Sequence, residues 1–289
     1  MEAVTNKVAE DKSMQLWELE KFLDVVVNEN CAVINLSHRG LTIVTRRLED
    51  AKSAHTLLLN NNRLLMPPGE LCSLKDLTEL VLDNNMLTML PSGIGSLSKL
   101  RILSASHNPL VALPDDLTNL SSLQHLWLIN CQLGSLPRNL GKLKQLRKLG
   151  LRENELHIIP EDVCNLRHLA WLNLDSNSLT ELPSTIGRLR ELLYLSLNYN
   201  YFEEVPIILK DLPNLVSLHM RKNSINNLPD DTIAALSFLA CLDIRDNGIL
   251  ERPPEWKDHD FIMTATVQAE EETRSQDKEE TQSQDKKRT

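Results

Sequence analysis

One pattern recurs along most of this chain at a spacing of 23 residues. The register LxxLxLxxNxL fits ten successive units, eight steps between units are 23 residues, and the last step is 24. Asparagine fills the ninth position in eight of the ten units. The ten ninth positions are Arg39, Asn62, Asn85, Asn108, Cys131, Asn154, Asn177, Asn200, Asn223 and Asn247. A constant register of this length predicts one structural unit stacked on copies of itself.

The units predict an α/β fold, a right-handed solenoid of about ten repeats with a parallel sheet on its concave face. Each unit contributes one short strand, and ten strands about 4.8 Å apart give an inner arc of roughly 48 Å. The leucines at positions one, four, six and eleven form one continuous core. The asparagine amide is expected to bond turn backbone of adjoining coils, because buried polar groups need partners.

The second half of the unit carries its own motif, LPxx(I/L)GxLxxL, at residues 90–100, 136–146 and 182–192. With it, the chain resembles the leucine-rich repeat family over Cys31 to Pro254. The resemblance is to the subgroup of intracellular Ras-pathway scaffolds, Ras-suppressor proteins and their plant relatives. It implies a docking scaffold rather than an enzyme, and it does not imply which partner is bound.

The ends of the array are predicted to be covered. Residues 1–12 are expected to be flexible, and 13–30 to form an N-terminal capping helix that Ser13 could cap; the rival reading is a partner-binding helix. Its apolar stripe is Leu16, Leu19, Phe22, Leu23 and Val26. The array spans 31–254, and 255–264 is a C-terminal cap with Trp256, Phe261 and Ile262. Within residues 265–289, the segment EETRSQDK (271–278) is followed by the near copy EETQSQDK (279–286). Because these segments lack apolar residues that could be buried, they predict a disordered tail.

Composition excludes several classes of function. A net charge of −9 disfavours a general nucleic-acid binder. The start MEAVTNKVAEDKS has no apolar core of a secretory signal, and no run is long enough for a membrane helix. Five cysteines without a CxxC motif disfavour a disulfide framework or a zinc module. A cytoplasmic location is expected, with the nucleus as the alternative.

Catalytic and cofactor motifs are not found in the sequence. It has no nucleophile elbow, metalloprotease, phosphate-loop or kinase signature. The segment SGIGSL (92–97) contains the GxG spacing found in some phosphate-binding loops. The repeat register explains it instead, because Gly95, Gly141 and Gly187 are at equivalent positions. His125 and His219 lie four coils apart, about 19 Å, too far for one metal ion. We therefore expect no cofactor, no metal and no enzymatic activity.

Residues that the core does not require are the ones that can indicate a function. In each unit they are at positions two, three, five, seven and eight, which face the concave side or its rim. Coils one to four give a mild apolar row of Val33, Leu58, Val81 and Ile102, which ordinary strand preference explains. Coils five to nine carry aromatic and basic residues instead. The candidate partner-binding residues are His125, Trp127, Arg147, Lys148, Arg152, Trp171, Tyr194, Tyr199, His219 and Arg221.

These residues predict a docking site for an acidic segment of another protein that contains aromatic residues or proline, since exposed aromatics beside arginines are typical of interface hot spots. Trp127 and Trp171 flank the strand of Gly150 at roughly 10 Å, which leaves a slot between them. The alternative is that the rings stack on one another without a ligand.

The cysteines are assigned mainly to structure. Cys131 is interpreted as a substitute for asparagine on the ladder, because it is small and can be buried. Cys72 and Cys164 share the convex register of the glycines. Cys241, at an inner-face position of coil ten, is the most accessible thiol expected.

The expected function is a non-catalytic intracellular scaffold or adaptor that binds a protein on its concave face, with Ras-type signalling as one setting. One alternative is a substrate receptor or regulatory subunit of a ubiquitin ligase or phosphatase. Another is a cytoskeletal or axonemal assembly component.

Overall fold

Eleven short parallel strands form one open sheet in chain order in the computed structural model, which describes residues 14–249, 254–256 and 259–264. The strands are β1 Val33–Asn35, β2 Thr56–Leu58, β3 Glu79–Val81, β4 Ile102–Ser104, β5 His125–Trp127, β6 Lys148–Gly150, β7 Trp171–Asn173, β8 Tyr194–Ser196, β9 Ser217–His219, β10 Cys241–Asp243 and β11 Ile262–Met263. Neighbouring strands β1 to β10 pair with equivalent repeat positions opposite one another, as in Leu126 beside Leu149. The predicted solenoid is confirmed.

Each chain segment returns from one strand to the next through a short turn on the convex side. Most are 3₁₀ turns, at Arg46–Asp50, Gly69–Ser73, Ile94–Ser96, Asp115–Asn119, Leu140–Lys142, Glu161–Asn165, Ile186–Arg188, Ile207–Asp211 and Pro254–Trp256. The ninth coil instead uses an α-helix, α2 Asp230–Leu236. That coil is also the one whose repeat step is 24 residues.

The core is a stack of leucine side chains between the sheet and the convex turns. In coil five, Leu123, Leu126, Leu128 and Leu133 are all fully buried. Burial of one such side chain contributes about 1.5–3 kcal/mol before the loss of chain entropy. The predicted core positions are confirmed, and they leave the inner-face side chains free of any core role.

The asparagine ladder follows the predicted geometry. The side-chain carbonyl of Asn154 accepts from the N–H groups of Cys131 and Leu133, each at 3.1 Å. Its amide donates to the carbonyls of Leu128 at 2.7 Å and Leu151 at 2.9 Å. One side chain therefore satisfies backbone groups of two coils, and Asn62, Asn177 and Asn200 make the same type of contact.

The residue before each ladder position turns the chain out of the sheet. In all ten coils it has a positive φ, at His38, Asn61, Asn84, His107, Asn130, Glu153, Ser176, Tyr199, Lys222 and Asp246. Three of these are asparagine, which tolerates the left-handed region better than most residues do. The turn sends the ladder residue into the interior.

Cys131 interrupts the ladder and alters the coil before it. Its Sγ lies 3.4 Å from the carbonyl oxygen of Ala105, but the thiol offers no acceptor equivalent to an asparagine carbonyl. The N–H of Leu110 turns to the carbonyl of Asn108 at 2.8 Å, and that of Val111 to Cys131 O at 3.1 Å. Val111 consequently has φ 60°, a strained conformation for a β-branched residue. Cys131 is fully buried, as the structural interpretation predicted.

Small residues in the convex turns allow neighbouring coils to approach closely. A Cβ added to Gly141 would lie 2.9 Å from the Cβ of Asn165. The N–H of Gly141 donates to the Asp162 carboxylate at 2.6 Å. In the same register, Cys164 is buried and Cys72 is half-buried. The predicted shared register of these small side chains is confirmed.

The N-terminal helix α1 spans Leu16–Asn28 and covers the first coil. Leu19, Leu23 and Val26 are buried. The prediction was wrong for Leu16, the first residue of the helix, which is 50% exposed. Glu18 accepts a 2.8 Å hydrogen bond from the N–H of Gln15, which is the N-cap; Ser13 and the predicted flexible segment 1–12 lie outside the described residues.

The C-terminal end is an additional strand rather than only a cover. β11 pairs in parallel with β10 through Leu242 and Ile262, so the sheet has eleven strands where the repeat predicted ten. Because no LxxLxLxxNxL pattern marks this segment, the repeat count missed it. Trp256 and Ile262 are buried against the last coil, as predicted. The predicted tail, 265–289, lies outside the described residues.

Candidate functional site

Five aromatic and imidazole rings form a continuous row across coils five to nine, which we call the ring row: His125, Trp127, Trp171, Tyr194 and His219. Successive ring centroids are 6.5, 5.3, 5.5 and 5.0 Å apart. Trp171 and Tyr194 are stacked with an angle of 6° between planes, while Trp127 meets Trp171 edge to face. All five side chains are partly exposed. The structure thus brings together five of the ten predicted site residues.

The predicted slot at Gly150 is wrong, because the indole of Trp127 fills it. A Cβ added to Gly150 would lie 2.5 Å from Cε3 of Trp127. The missing side chain therefore lets Trp127 lie flat over β6 and reach Trp171 in the next coil but one. Gly150 therefore allows the rings to contact one another and does not leave a cavity between them.

The basic residues of the inner face are less available than the sequence suggested. Arg152 pairs with Glu153 at 2.7 Å, and Arg221 pairs with Asp246. Lys222 lies over the ring of Tyr199, with Nζ 4.8 Å from the centroid. Arg147 and Lys148 are exposed and have no ion pair within the part of the chain that the structure describes. Positive charge is therefore concentrated beside β6.

A carboxylate at the end of the ring row is held ionised. Arg245 donates to Asp243 from Nε at 2.8 Å and from Nη2 at 2.7 Å, and His219 Nδ1 lies 3.7 Å from the same carboxylate. Burial raises the pKa of Asp243, but the hydrogen bonds from Arg245 and His219 outweigh it and hold that pKa well below its usual range. This places His219 between Tyr194 and a fixed negative charge.

At the other end of the row, His125 lies in the opposite electrostatic environment. Partial burial lowers its pKa, and the positive charges of Lys148 and Arg147 lower it further. The neutral imidazole is therefore favoured beside Trp127. An anionic group that approached Lys148 would reduce this effect.

A second hydrogen-bond ladder, which the sequence reasoning missed, supports the inner face. Asp175 accepts from Ser196 Oγ at 2.5 Å and from the N–H of Asn198 at 2.8 Å. Asn198 in turn accepts from the N–H of Arg221 at 2.7 Å. The available signal was a recurrence four coils apart, since Asp83 and Ser104 repeat the arrangement of Asp175 and Ser196.

Cys72, Cys131 and Cys241 have environments that lower the reactivity of their thiols. Burial raises the pKa of Cys131 to about 11 and that of Cys72 to about 11. Cys241 is partly exposed, as predicted for the inner face, yet its Sγ lies 3.7 Å from Sδ of Met263 and burial raises its pKa. A raised pKa leaves little thiolate at neutral pH, which does not favour a nucleophile.

Neither α1 nor α2 has the length and apolar character to cross a membrane, and the same holds for every helix in the described ranges.

Comparison with known proteins gives a family match over part of the chain. Residues 131–222 match the family described as leucine-rich repeat region. No curated protein matches the chain.

Solved structures resemble most of the described fold. A leucine-rich repeat protein of Leptospira interrogans is 28% identical with a TM-score of 0.58, covering 78% of this chain and 69% of that one. The ectodomain of the Arabidopsis thaliana receptor kinase GASSHO1/SCHENGEN3, solved with CASPARIAN STRIP INTEGRITY FACTOR 2, is 32% identical with a TM-score of 0.68, covering 81% and 29%.

A third similar structure is the plant peptide hormone receptor RGFR1 in complex with RGF2, at 25% identity and a TM-score of 0.56, covering 71% of this chain and 38% of that one. The chain spans well under two thirds of both plant receptors. Repeat register, sheet topology and these similarities together identify the fold as a leucine-rich repeat solenoid, an architecture that generally mediates protein–protein interaction.

Proposed function

We propose that the protein is a non-catalytic interaction module whose ring row binds an extended segment of a partner protein. The observation that carries the proposal is that five rings lie partly exposed on the inner face of an array whose core is already complete without them. Tryptophan and tyrosine in that setting are typical of interface hot spots.

The contacts between the rings favour binding rather than oppose it. Stacked side chains have already lost much of their rotamer freedom, so a ligand that packs on them orders few additional groups. Trp127 packs over Gly150, and the hydrogen bond between Ser196 and Asp175 joins the coils that carry Trp171 and Tyr194. Rings that stack only for their own stability remain the alternative, and the test below separates the two.

Charge beside the row favours an acidic segment. Arg147 and Lys148 are exposed at β6 on a chain whose net charge is −9. Aromatic or proline residues in the segment would pack on the rings, as proline-rich segments do in aromatic-lined grooves. The partner chemistry is thus an acidic segment with aromatic residues or proline.

Two of the similar structures support this mode of binding, because both plant receptors were solved in complexes with the factors named above. The subgroup resemblance of the sequence supports a cytoplasmic adaptor or scaffold, with Ras-type signalling as the setting.

The test is selection of a random peptide display library on the purified full chain. We expect enrichment of acidic peptides that contain aromatic residues or proline, and loss of that enrichment in Trp127→Ala combined with Trp171→Ala. Val33→Ala combined with Val81→Ala is the matched control, since both valines lie on the same face in coils one and three.

Urea denaturation of each variant checks that it remains folded. Unchanged enrichment in a folded double tryptophan variant would show that the ring row is not the binding site.

A further inference from the structure

A cavity of about 540 Å³ lies beside the convex turns of coils six and seven, away from the ring row. Three arginines line it, Arg167, Arg188 and Arg190, together with His168 and Glu191. Arg188 and Arg190 also line a second depression, to which Lys210 and Asp211 contribute one charge of each sign. A chain that is acidic overall therefore concentrates positive charge in one recess.

The carboxylate nearest to this recess is already engaged. Glu191 Oε1 lies 2.8 Å from Nδ1 of His168. None of the three arginines forms an ion pair within the described ranges, and all three are exposed. Guanidinium groups present planar forks of N–H donors that match the oxygens of carboxylates and phosphates. The recess thus carries three guanidinium groups and one carboxylate, Glu191, which His168 contacts.

One edge of the sheet separates the recess from the ring row, and three residues of each coil cross that edge. His168 precedes Trp171 by three residues, and Glu191 precedes Tyr194 by three residues. Three extended residues span at most about 10 Å. A backbone hydrogen bond joins the two coils at this edge, since the N–H of Tyr194 donates to Ala170 O at 3.2 Å. A bound segment only a few residues long can therefore reach from the stacked rings to the arginines.

We propose that Arg167, Arg188 and Arg190 bind a phosphoryl group on the partner segment that occupies the ring row; this rests on the proposed function above. Three guanidinium groups exceed what one carboxylate can satisfy, whereas a phosphate monoester is nearly dianionic at neutral pH with three strong acceptor oxygens. A recess that accommodates one side chain also fits a phosphorylated residue better than a membrane surface or a nucleic-acid backbone, which need an extended basic face.

The first experiment titrates the full chain with phenyl phosphate and follows the arginine Nε–H signals by NMR at constant ionic strength. We expect saturable shifts of the signals of Arg167, Arg188 and Arg190, at least a tenfold weaker response to benzoate, and loss of both in Arg188→Gln combined with Arg190→Gln. Arg138→Gln combined with Lys142→Gln removes the same charge from neighbouring exposed positions and is the control.

Several outcomes would overturn the proposal. They are a non-saturable response, an equal response to benzoate, or an equal loss in the control variant. Tighter binding to phosphoinositide vesicles or to an oligonucleotide than to a phosphopeptide, in matched salt, would also overturn it.

A second experiment separates this proposal from the first. Peptides selected on the ring row are synthesised with phosphoserine at successive positions. We expect one register to bind at least tenfold more tightly, and Arg188→Gln with Arg190→Gln to abolish only that increment. Trp127→Ala with Trp171→Ala should abolish binding of both forms. If phenyl phosphate still binds while the tryptophan variant changes nothing, the ring-row function fails and only the anion recess stands.

Discussion

The asparagine ladder and the ring row both run across the coils, but the contacts of the ladder repeat from coil to coil and those of the ring row do not. The ladder asparagines make the same contacts in coil after coil, and Asn154 and Asn177 are typical in being buried and hydrogen-bonded to two coils. The ring row uses different repeat positions in different coils, is confined to coils five to nine, and stays partly exposed. In a solenoid, periodicity therefore marks what the fold requires, and departures from it mark where a binding site can be built.

The largest effect on stability is expected from a variant that removes one asparagine of the ladder. Asn154→Ala removes the partners of two N–H groups and two carbonyls in the interior. Because each unsatisfied buried group costs about 1–3 kcal/mol, we expect a loss of about 3–5 kcal/mol in the free energy of unfolding. Urea denaturation followed by circular dichroism measures it. Ser178→Ala, a partly exposed position in the following coil, is the control. A loss below 1 kcal/mol would show that water replaces the asparagine.

The fold was predictable because every coil restates the same information. Leucines and asparagines at fixed spacing determine the strand and core positions, and the sequence identified both in coils one to ten, whereas it did not predict the 3₁₀ turns or α2. The eleventh strand was missed because Ile262 and Met263 sit outside the register. Sequence pattern alone does not reveal that a terminal segment can pair with an open sheet edge.

The site was predictable only as a set of residues. That Trp127, Trp171 and Tyr194 share a face follows from strand periodicity, but their ring contacts depend on side-chain rotamers. The absence of a Cβ at Gly150 was interpreted as an empty slot, whereas the indole of Trp127 gains packing by occupying it. Likewise, the ion pairs of Arg152 and Arg221 depend on neighbours that repeat counting treats as interchangeable.

The next largest effect disturbs the row from beneath. Gly150→Val inserts a side chain where a Cβ alone would lie 2.5 Å from Trp127, so the indole must move and lose its edge contact with Trp171. Overpacking of this kind costs about 1–3 kcal/mol. We expect that loss in urea denaturation, together with a red shift of tryptophan fluorescence. Gly134→Val, where an added Cβ meets nothing within 4 Å, is the control.

A double-mutant comparison measures the interaction between residue 150 and the indole of Trp127. In a Trp127→Ala background, Gly150→Val should cost much less, since the clashing indole is absent. An equal cost in both backgrounds would place the strain in the backbone of β6 and contradict the packing explanation.

A smaller effect on stability is expected from a variant that places asparagine at the interrupted ladder position. Cys131→Asn supplies an acceptor for the N–H of Leu110 and allows Val111 to leave its positive φ. We expect about 1 kcal/mol of added stability, the net value of a typical hydrogen bond. Cys131→Ala, which fills the site without an acceptor, should not stabilise the protein.

Val111→Gly gives an independent check on the same coil. It should stabilise the wild-type chain, because glycine adopts positive φ without strain, and it should lose that benefit in the Cys131→Asn variant. Equal effects in both backgrounds would mean that Pro109, which lacks an N–H, causes the distortion instead.

The smallest effect tests the electrostatics of the row. The pKa of His125 is lowered by burial and by Lys148 and Arg147, so the unfolded chain binds its proton more readily than the folded chain does. The stability contributed by the neutral ring is therefore complete above the ordinary histidine pKa of about 6.5 and is lost as the pH falls below it. NMR titration of the His125 Cε1–H signal should give a higher pKa in Lys148→Gln and no change in Lys222→Gln. An unchanged pKa in Lys148→Gln would assign the shift to burial and Arg147, and would remove Lys148 from the electrostatic argument for an acidic segment beside Trp127.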